Sequence, residues 1–386
     1  MRNVILFDDA AVRGDLLPLT FTRPVALMRQ GITTMLEKWQ RVVEGNYSFE
    51  TEEYLRIKFP LVEAPDGDDL RIAAHIHPSA QLVEAVLALA PGESLMSTEG
   101  ELIARCGTGE GAAVTFGGEL RAIRHIWDVF QDNGEAIIAD FEAITAGRKS
   151  QPLSDTCTLI GDPSQLFIEE GATVEGAVIN VKNGPVYVGR DAEIMEGACL
   201  RGPIALCEHA MVNMGGKVYG PTTLGPYCKV GGEVNNVVMT GYSNKSHDGF
   251  LGNAVLGEWC NLGAGCTASN LKNTYGEVKL WSIARGRFVR TGLQFCGLIM
   301  GDHSKAGINT MFNTATLVGP GVNFYGSDFP RTYLPGFCQG TTAGMRPVDM
   351  DAFFETASIV MGRRHMELTD ADRQILTTVR HIIESR

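Results

Sequence analysis

No part of this chain is apolar for long enough to cross a bilayer. The opening apolar run, Val4-Ile5-Leu6-Phe7, is cut short by Asp8-Asp9, which argues against a signal peptide as well as a membrane span. Positive charge is also scarce. With 33 Lys and Arg against 45 Asp and Glu, the formal net charge is −12, so a polyanion is repelled on average and no arginine-rich stripe offsets this. Nucleic acid and membrane are therefore not expected as partners, and the expected location is the cytoplasm. Cysteine occurs nine times but never as a CxxC pair, which suits a reducing compartment better than a disulfide framework. Cys260 and Cys266 sit six residues apart, as small buried thiols on a regular scaffold would. The pair His75-x-His77 lacks further ligands at useful spacing, so no metal site is expected.

What the chain has in abundance is a period of six. Apolar residues recur at Val188, Ile194, Leu200, Leu206, Val212, Val218, Leu224 and Val230, a spacing that neither a helix nor a half-buried strand produces. Three six-residue faces per turn make a parallel β-helix in which residues 18 apart stack inside the prism, giving Val188/Leu206/Leu224, Ile194/Val212/Val230 and Leu200/Val218. The period returns as Phe250, Leu256, Leu262, Ala268 and again as Met300, Ala306, Phe312, Val318, Phe324. The gaps, about 236–249 and 272–294, read as loops thrown off the scaffold. Glycine often follows the apolar residue (Gly189, Gly225, Gly231, Gly257, Gly263, Gly301, Gly307, Gly319), which suggests corners whose backbone a side chain would penalise.

Residues 1–150 read as mixed α/β: a buried strand at 4–7, helices at 31–43, 51–58 and 80–90, and a second strand at 70–76. The polar, turn-rich run 147–154 marks a boundary. A β-helix domain is then expected over 155–335 and a helical segment over 345–386, with helices at 348–361 and 370–383 that cap the open end of the coil.

His247 lies just before the motif Leu251-Gly252-Asn253-Ala254, followed by Asn261-Leu262-Gly263-Ala264-Gly265 and Ser269-Asn270. Together with Lys245-Ser246-His247 these resemble, without a gap, the acetyltransferase half of bifunctional N-acetylglucosamine-1-phosphate uridyltransferases, which carry a left-handed hexapeptide β-helix. The opening ILFDDAAVRGDLLPLTFTRPVALMRQGITTMLEKW is similar to a divergent, Bacteroidetes-type group of sugar nucleotidyltransferases joined to such a β-helix. The resemblance implies a homotrimer, acetyl-CoA as acyl donor, and a sugar phosphate or nucleotide sugar as the other substrate. It implies His247 as general base, Asn261 as an orienting group, and Ala264 on the CoA side with Asn270 and Lys272 beside it, while Lys245, Lys272 or Arg285/Arg287 are the candidates to supply a cation for the sugar phosphate. It also departs from the family: Phe250 replaces a tyrosine, and the paired lysines that hold sugar phosphate fall near Asn235-Asn236.

The glycine-rich loop that cradles nucleotide phosphates in ordinary nucleotidyltransferases is missing, since Asp8-Asp9-Ala10-Ala11-Val12-Arg13-Gly14 stands in its place. Arg13 and Arg23 are the candidates to hold phosphate instead, with Mg²⁺ accompanying any nucleoside triphosphate. Alternatively Arg23 pairs with Asp8 or Asp9, and the front domain is a relic that shapes or covers the β-helix. Three functions follow as expectations: acyl transfer on the β-helix, sugar-1-phosphate nucleotidyl transfer by the front domain, or non-catalytic binding of a nucleotide sugar.

Overall fold

The computed structural model describes residues 2–385 apart from 66, 109–110 and 327. The front of the chain forms a six-stranded sheet. Strand β1 (Asn3–Phe7) lies between β2 (Asn46–Glu50), at one edge, and β3 (Leu70–Ala73), parallel to both. The sheet continues through β5 (Leu102–Cys106), antiparallel to β3, then β4 (Ser94–Ser97) and β6 (Ala113–Phe116). Val4, Ile5 and Leu6 are fully buried, as expected for a strand covered on both faces. Helix α1 (Ala10–Asp15) follows β1, and α2 (Met35–Val42) starts later than its apolar pattern because the Thr34/Glu37 capping box fixes its N-terminus. Helix α3 is Ala80–Leu87, α4 Asp128–Gln131 and α5 Asn133–Thr145. The helix expected at 51–58 is only a 3₁₀ turn, Glu53–Leu55.

From Thr158 to Thr341 the chain winds as a parallel β-helix. The stacked ladders fall where the six-residue period puts them: Val188 pairs with Leu206 and Leu206 with Leu224, Ile194 with Val212 and Val212 with Val230, and Leu200 with Val218. All of these are inside a single core cluster. The fold class is therefore an α/β domain followed by a parallel β-helix and short C-terminal helices.

Two details of the period are corrected. The stretch 236–249 is not a loop. Strands Glu233–Gly241 and Asn244–Lys245 continue the coil with fewer residues per turn, so that Leu224 pairs with Met239 and Val230 with Lys245. The shortened turn also shifts the phase, so Leu251, fully buried, faces inward and Phe250 does not. By contrast, 272–294 does leave the scaffold, as an antiparallel hairpin of Lys279–Ser282 and Arg287–Arg290.

The glycines after the ladder residues are not at left-handed corners either. They are needed because neighbouring coils approach too closely for a side chain: a Cβ on Gly225 would lie 2.0 Å from the Thr240 carbonyl oxygen, and one on Gly231 2.3 Å from that of Ser246. The left-handed positions come two residues later, at His209, Tyr227, Tyr242, Trp259 and His303. Their rings stack from coil to coil, with centroids 4.5 Å apart for His209–Tyr227, 5.5 Å for Tyr227–Tyr242, 4.3 Å for Tyr242–Trp259 and 6.2 Å for Trp259–His303.

Helices α6 (Met350–Gly362) and α7 (Asp370–Glu384) pack on the last coil at the open edge of the β-helix, with Phe353 against Phe337 and Ile383 beside Gly336. That edge is also closed by the antiparallel strand Gly344–Pro347 on Cys338–Thr341, which leaves no long row of unpaired groups. The two helices also fill the space between front domain and β-helix. Met361, Ile375 and Val379 share one core with Leu6, Trp39 and Phe130 of the front domain and Val238, Val255 and Leu317 of the coils.

Candidate functional site

Each coil places one residue on the outer surface just before its inward-facing ladder residue. Met211, Lys229, Asn244, Asn261 and Lys305 are register partners at this place on successive coils. Three residues after Asn261 comes the exposed turn at Ala264-Gly265. The Gly265 N–H donates to the Asp248 carbonyl below it, so the His247-Asp248 turn and the Ala264-Gly265 turn lie on neighbouring coils of one corner. His247 is exposed. The structure therefore brings three of the sequence-derived residues, His247, Asn261 and Ala264, to one edge and the adjoining face of the β-helix. Met214 and Ile308, 70% and 68% exposed, are apolar residues near the same edge.

The other assignments separate. Asn270 lies at a different corner, where its amide donates to Asn253 Oδ1 at 2.7 Å, and the Lys272 ammonium donates to the Glu277 carbonyl at 2.5 Å. Lys245, expected on a sugar phosphate, points into the prism instead. It stacks on Val230, is 1% exposed, and donates from Nζ to the carbonyls of Gly231 (3.2 Å) and His247 (2.5 Å). Burial lowers its pKa to about 8. It cannot reach a ligand, but it holds the turn that carries His247 from the inside.

Arg13 and Arg23 are turned inward too. Arg13 donates to the Thr20 carbonyl (2.6 Å) and Tyr54 Oη (2.9 Å) and pairs with Glu52 (3.3 Å) and Asp8 (3.5 Å). Arg23 pairs with neither Asp8 nor Asp9. Buried, it bridges to the β-helix through Asp302 and, at 3.3 Å, Glu258. A guanidinium used up in this way has no fork left for phosphate.

At the turn that replaces the glycine-rich loop, Asp9 Oδ1 accepts from the N–H groups of Ala11 and Val12, both at 2.9 Å. Those are the amides an incoming phosphate would need. Asp8 accepts from the Val25 N–H (2.9 Å) and Thr51 Oγ1 (2.5 Å), and burial raises its pKa to about 6. The β-helix hairpin closes over the same helix: Arg285 pairs with Asp15 at 2.7 Å, and a Cβ on Gly14 would lie 3.3 Å from that of Ala284. These residues do not fit a nucleoside triphosphate with Mg²⁺. Elsewhere in this domain His75 is bonded to Glu101 at 2.7 Å and His77 to Gln30 at 2.6 Å.

Despite that altered turn, residues 4–149 match the family model for sugar nucleotidyl transferase. The front third of the chain is thus similar to that family. A bifunctional sugar-1-phosphate nucleotidylyltransferase/acetyltransferase of Sulfurisphaera tokodaii is 29% identical over 150 residues, covering 38% of this chain and 37% of that protein. The bifunctional protein GlmU of Cupriavidus pinatubonensis is 26% identical over 169 residues, again covering 38% and 37%. The chain spans little more than a third of the length of these curated relatives. Among solved structures, an Arabidopsis UDP-N-acetylglucosamine acyltransferase overlaps at 12% identity over 55% of this chain and 80% of that one, with a TM-score of 0.24.

Asn261 also lines a cleft of about 630 Å³ between the β-helix and the end of α6, together with Lys229, Asn244, Lys305, Arg363 and Arg364. Sequence reasoning missed the four cations. The column that holds Lys229 and Lys305 was readable as the position before each ladder residue; the arginines reach it only because α6 docks there. Among the described residues, no helix is long and apolar enough to cross a membrane.

Proposed function

We propose that the β-helix transfers an acyl group, acetyl in the simplest case, from acyl-CoA to an amino or hydroxyl group of a sugar phosphate or nucleotide sugar. The observation that carries this reading is the joint placement of His247, Asn261 and Ala264 on adjoining coils, where an exposed imidazole stands beside open backbone. In this reading neutral His247 accepts the proton as the acceptor nucleophile attacks the thioester carbonyl, and the CoA thiolate leaves. Asn261 orients the acceptor, and the backbone at Ala264 receives the thioester. Exposed Met214 and Ile308 near that edge support a second copy of the chain covering it, and a homotrimer is the assembly proposed.

The test is acyl transfer by the full chain with acetyl-CoA and candidate acceptors. His247→Ala should lower the rate by about 10² to 10⁴ at unchanged melting temperature. Survival of activity within a few-fold would remove His247 from the mechanism.

A second reading, sugar-1-phosphate nucleotidyl transfer by the front domain, is favoured by the family match over 4–149. The capped turn at Asp9 weighs against it. Release of pyrophosphate from a nucleoside triphosphate and a sugar 1-phosphate would establish it.

A further inference from the structure

The cleft beside Asn261 is unlike the rest of this acidic molecule. Lys229, Lys305, Arg363 and Arg364 converge on it, and no carboxylate lines it. None of the four forms an ion pair among the described residues. Arg364 reaches only Asn244 Oδ1, at 3.5 Å, and Lys305 donates to the His303 carbonyl at 3.1 Å. In a chain of net charge −12, anionic partners are plentiful, so four cations gathered without one carry a cost of like-charge repulsion that an anionic ligand would remove. The lowered pKa of Lys229, caused by burial and then by Arg364 and Arg363 and only partly offset by Glu193, reflects that repulsion. Burial acts on Lys305 in the same direction.

Shape narrows the ligand. Lys229 and Lys305 are separated by three coil steps, roughly 14 Å at about 4.8 Å per step, with Asn244 and Asn261 between them. A ligand that fills this length carries a polar portion beside its anionic group. The volume suits a small molecule of drug size, and the stacked pair Tyr242–Trp259 forms a rigid wall.

We propose that this cleft binds a diphosphate-bearing small molecule of the nucleotide-sugar class, with the cations on its phosphate oxygens and the asparagine column on sugar hydroxyls. Two arginines contribute forked donors matched to phosphate. The choice of a sugar-bearing ligand rests on the acyl-transfer reading; the anion site itself does not.

Equilibrium titration of the full chain without acyl-CoA tests it, using UDP-N-acetylglucosamine, inorganic pyrophosphate and free N-acetylglucosamine as probes. The nucleotide sugar should bind more tightly than pyrophosphate, and the neutral sugar should not bind at the same concentration. Lys229→Met and Arg364→Met should each weaken binding about tenfold or more, the scale of a lost charged hydrogen bond. Both side chains lie outside the ion pairs that hold the fold, so melting temperatures should stay close to wild type, and an Arg363→Ala/Arg364→Ala variant on α6 repeats the test from the other wall. Absence of binding by both phosphorylated probes at millimolar concentration overturns the proposal, as does binding that the substitutions leave unchanged. Wild-type chain that binds the nucleotide sugar but transfers no acyl group from acetyl-CoA to any acceptor counts against the acyl-transfer reading alone.

Discussion

Lys245 shows how a residue that a motif singles out for a ligand can be placed elsewhere by the fold. Its neighbours in the motif pointed to a ligand contact, but one shortened coil moves it to the inward register beside Val230. Periodicity marks inward positions only while the turn length is constant. From inside the prism its ammonium fixes the His247 carbonyl, which makes it a positioning residue. Lys245→Met should keep or raise stability, because an apolar chain replaces a buried cation. It should lower kcat several-fold at unchanged KM for the acceptor, whereas a substrate contact would raise KM. Asp8 gives a residue-level test by pH. A carboxyl whose folded pKa is raised holds its proton longer in the folded state, so the stability it contributes is full below about 3.8 and lost as pH rises through about 6. Asp8→Asn should remove that dependence. Relative to wild type the variant should gain up to about 3 kcal/mol between pH 4 and pH 7, at roughly 1.4 kcal/mol per unit, measured by denaturant titration at both pH values.

At the scale of the element, the coil was legible because its burial repeats locally: a residue on the prism interior meets the same kind of neighbour eighteen positions away. Leu206 is such a residue, fully buried between Val188 and Leu224. Leu206→Ala should cost about 2–5 kcal/mol, the range for a truncated core leucine, read from the denaturation midpoint at constant slope. A loss under 1 kcal/mol would mean that the ladder is not closely packed there. The corners were less legible. Glycine after the ladder residue signals close approach between coils rather than backbone strain, and the left-handed conformation falls to His209, Tyr227, Tyr242 and Trp259. Non-glycine residues are penalised there, and the stacking of their rings offsets part of that cost.

For the whole molecule, what no local pattern could announce is that the front domain, the outer face of the coils and the last two helices share one core. Arg23 and Asp302 are 279 residues apart and buried together; as isolated residues, neither signals the other. Asp302→Ala should destabilise the protein by about 3–5 kcal/mol, since it strands a buried guanidinium with only Glu258 at hand. Hydrogen exchange should then quicken at residues 19–29 and 299–317 before it does in the lower coils. The double replacement Arg23→Met/Asp302→Leu should recover most of the loss.

The shared core also bears on how the chain is made. Leu6, Trp39 and Phe130 leave the ribosome long before Leu317, Ile375 and Val379, which complete their packing. At about 5–20 residues per second, that interval is on the order of tens of seconds. During it the part of the front domain's apolar surface that Leu317, Ile375 and Val379 cover has no partner yet made, so burial of that surface waits for the last residues synthesised.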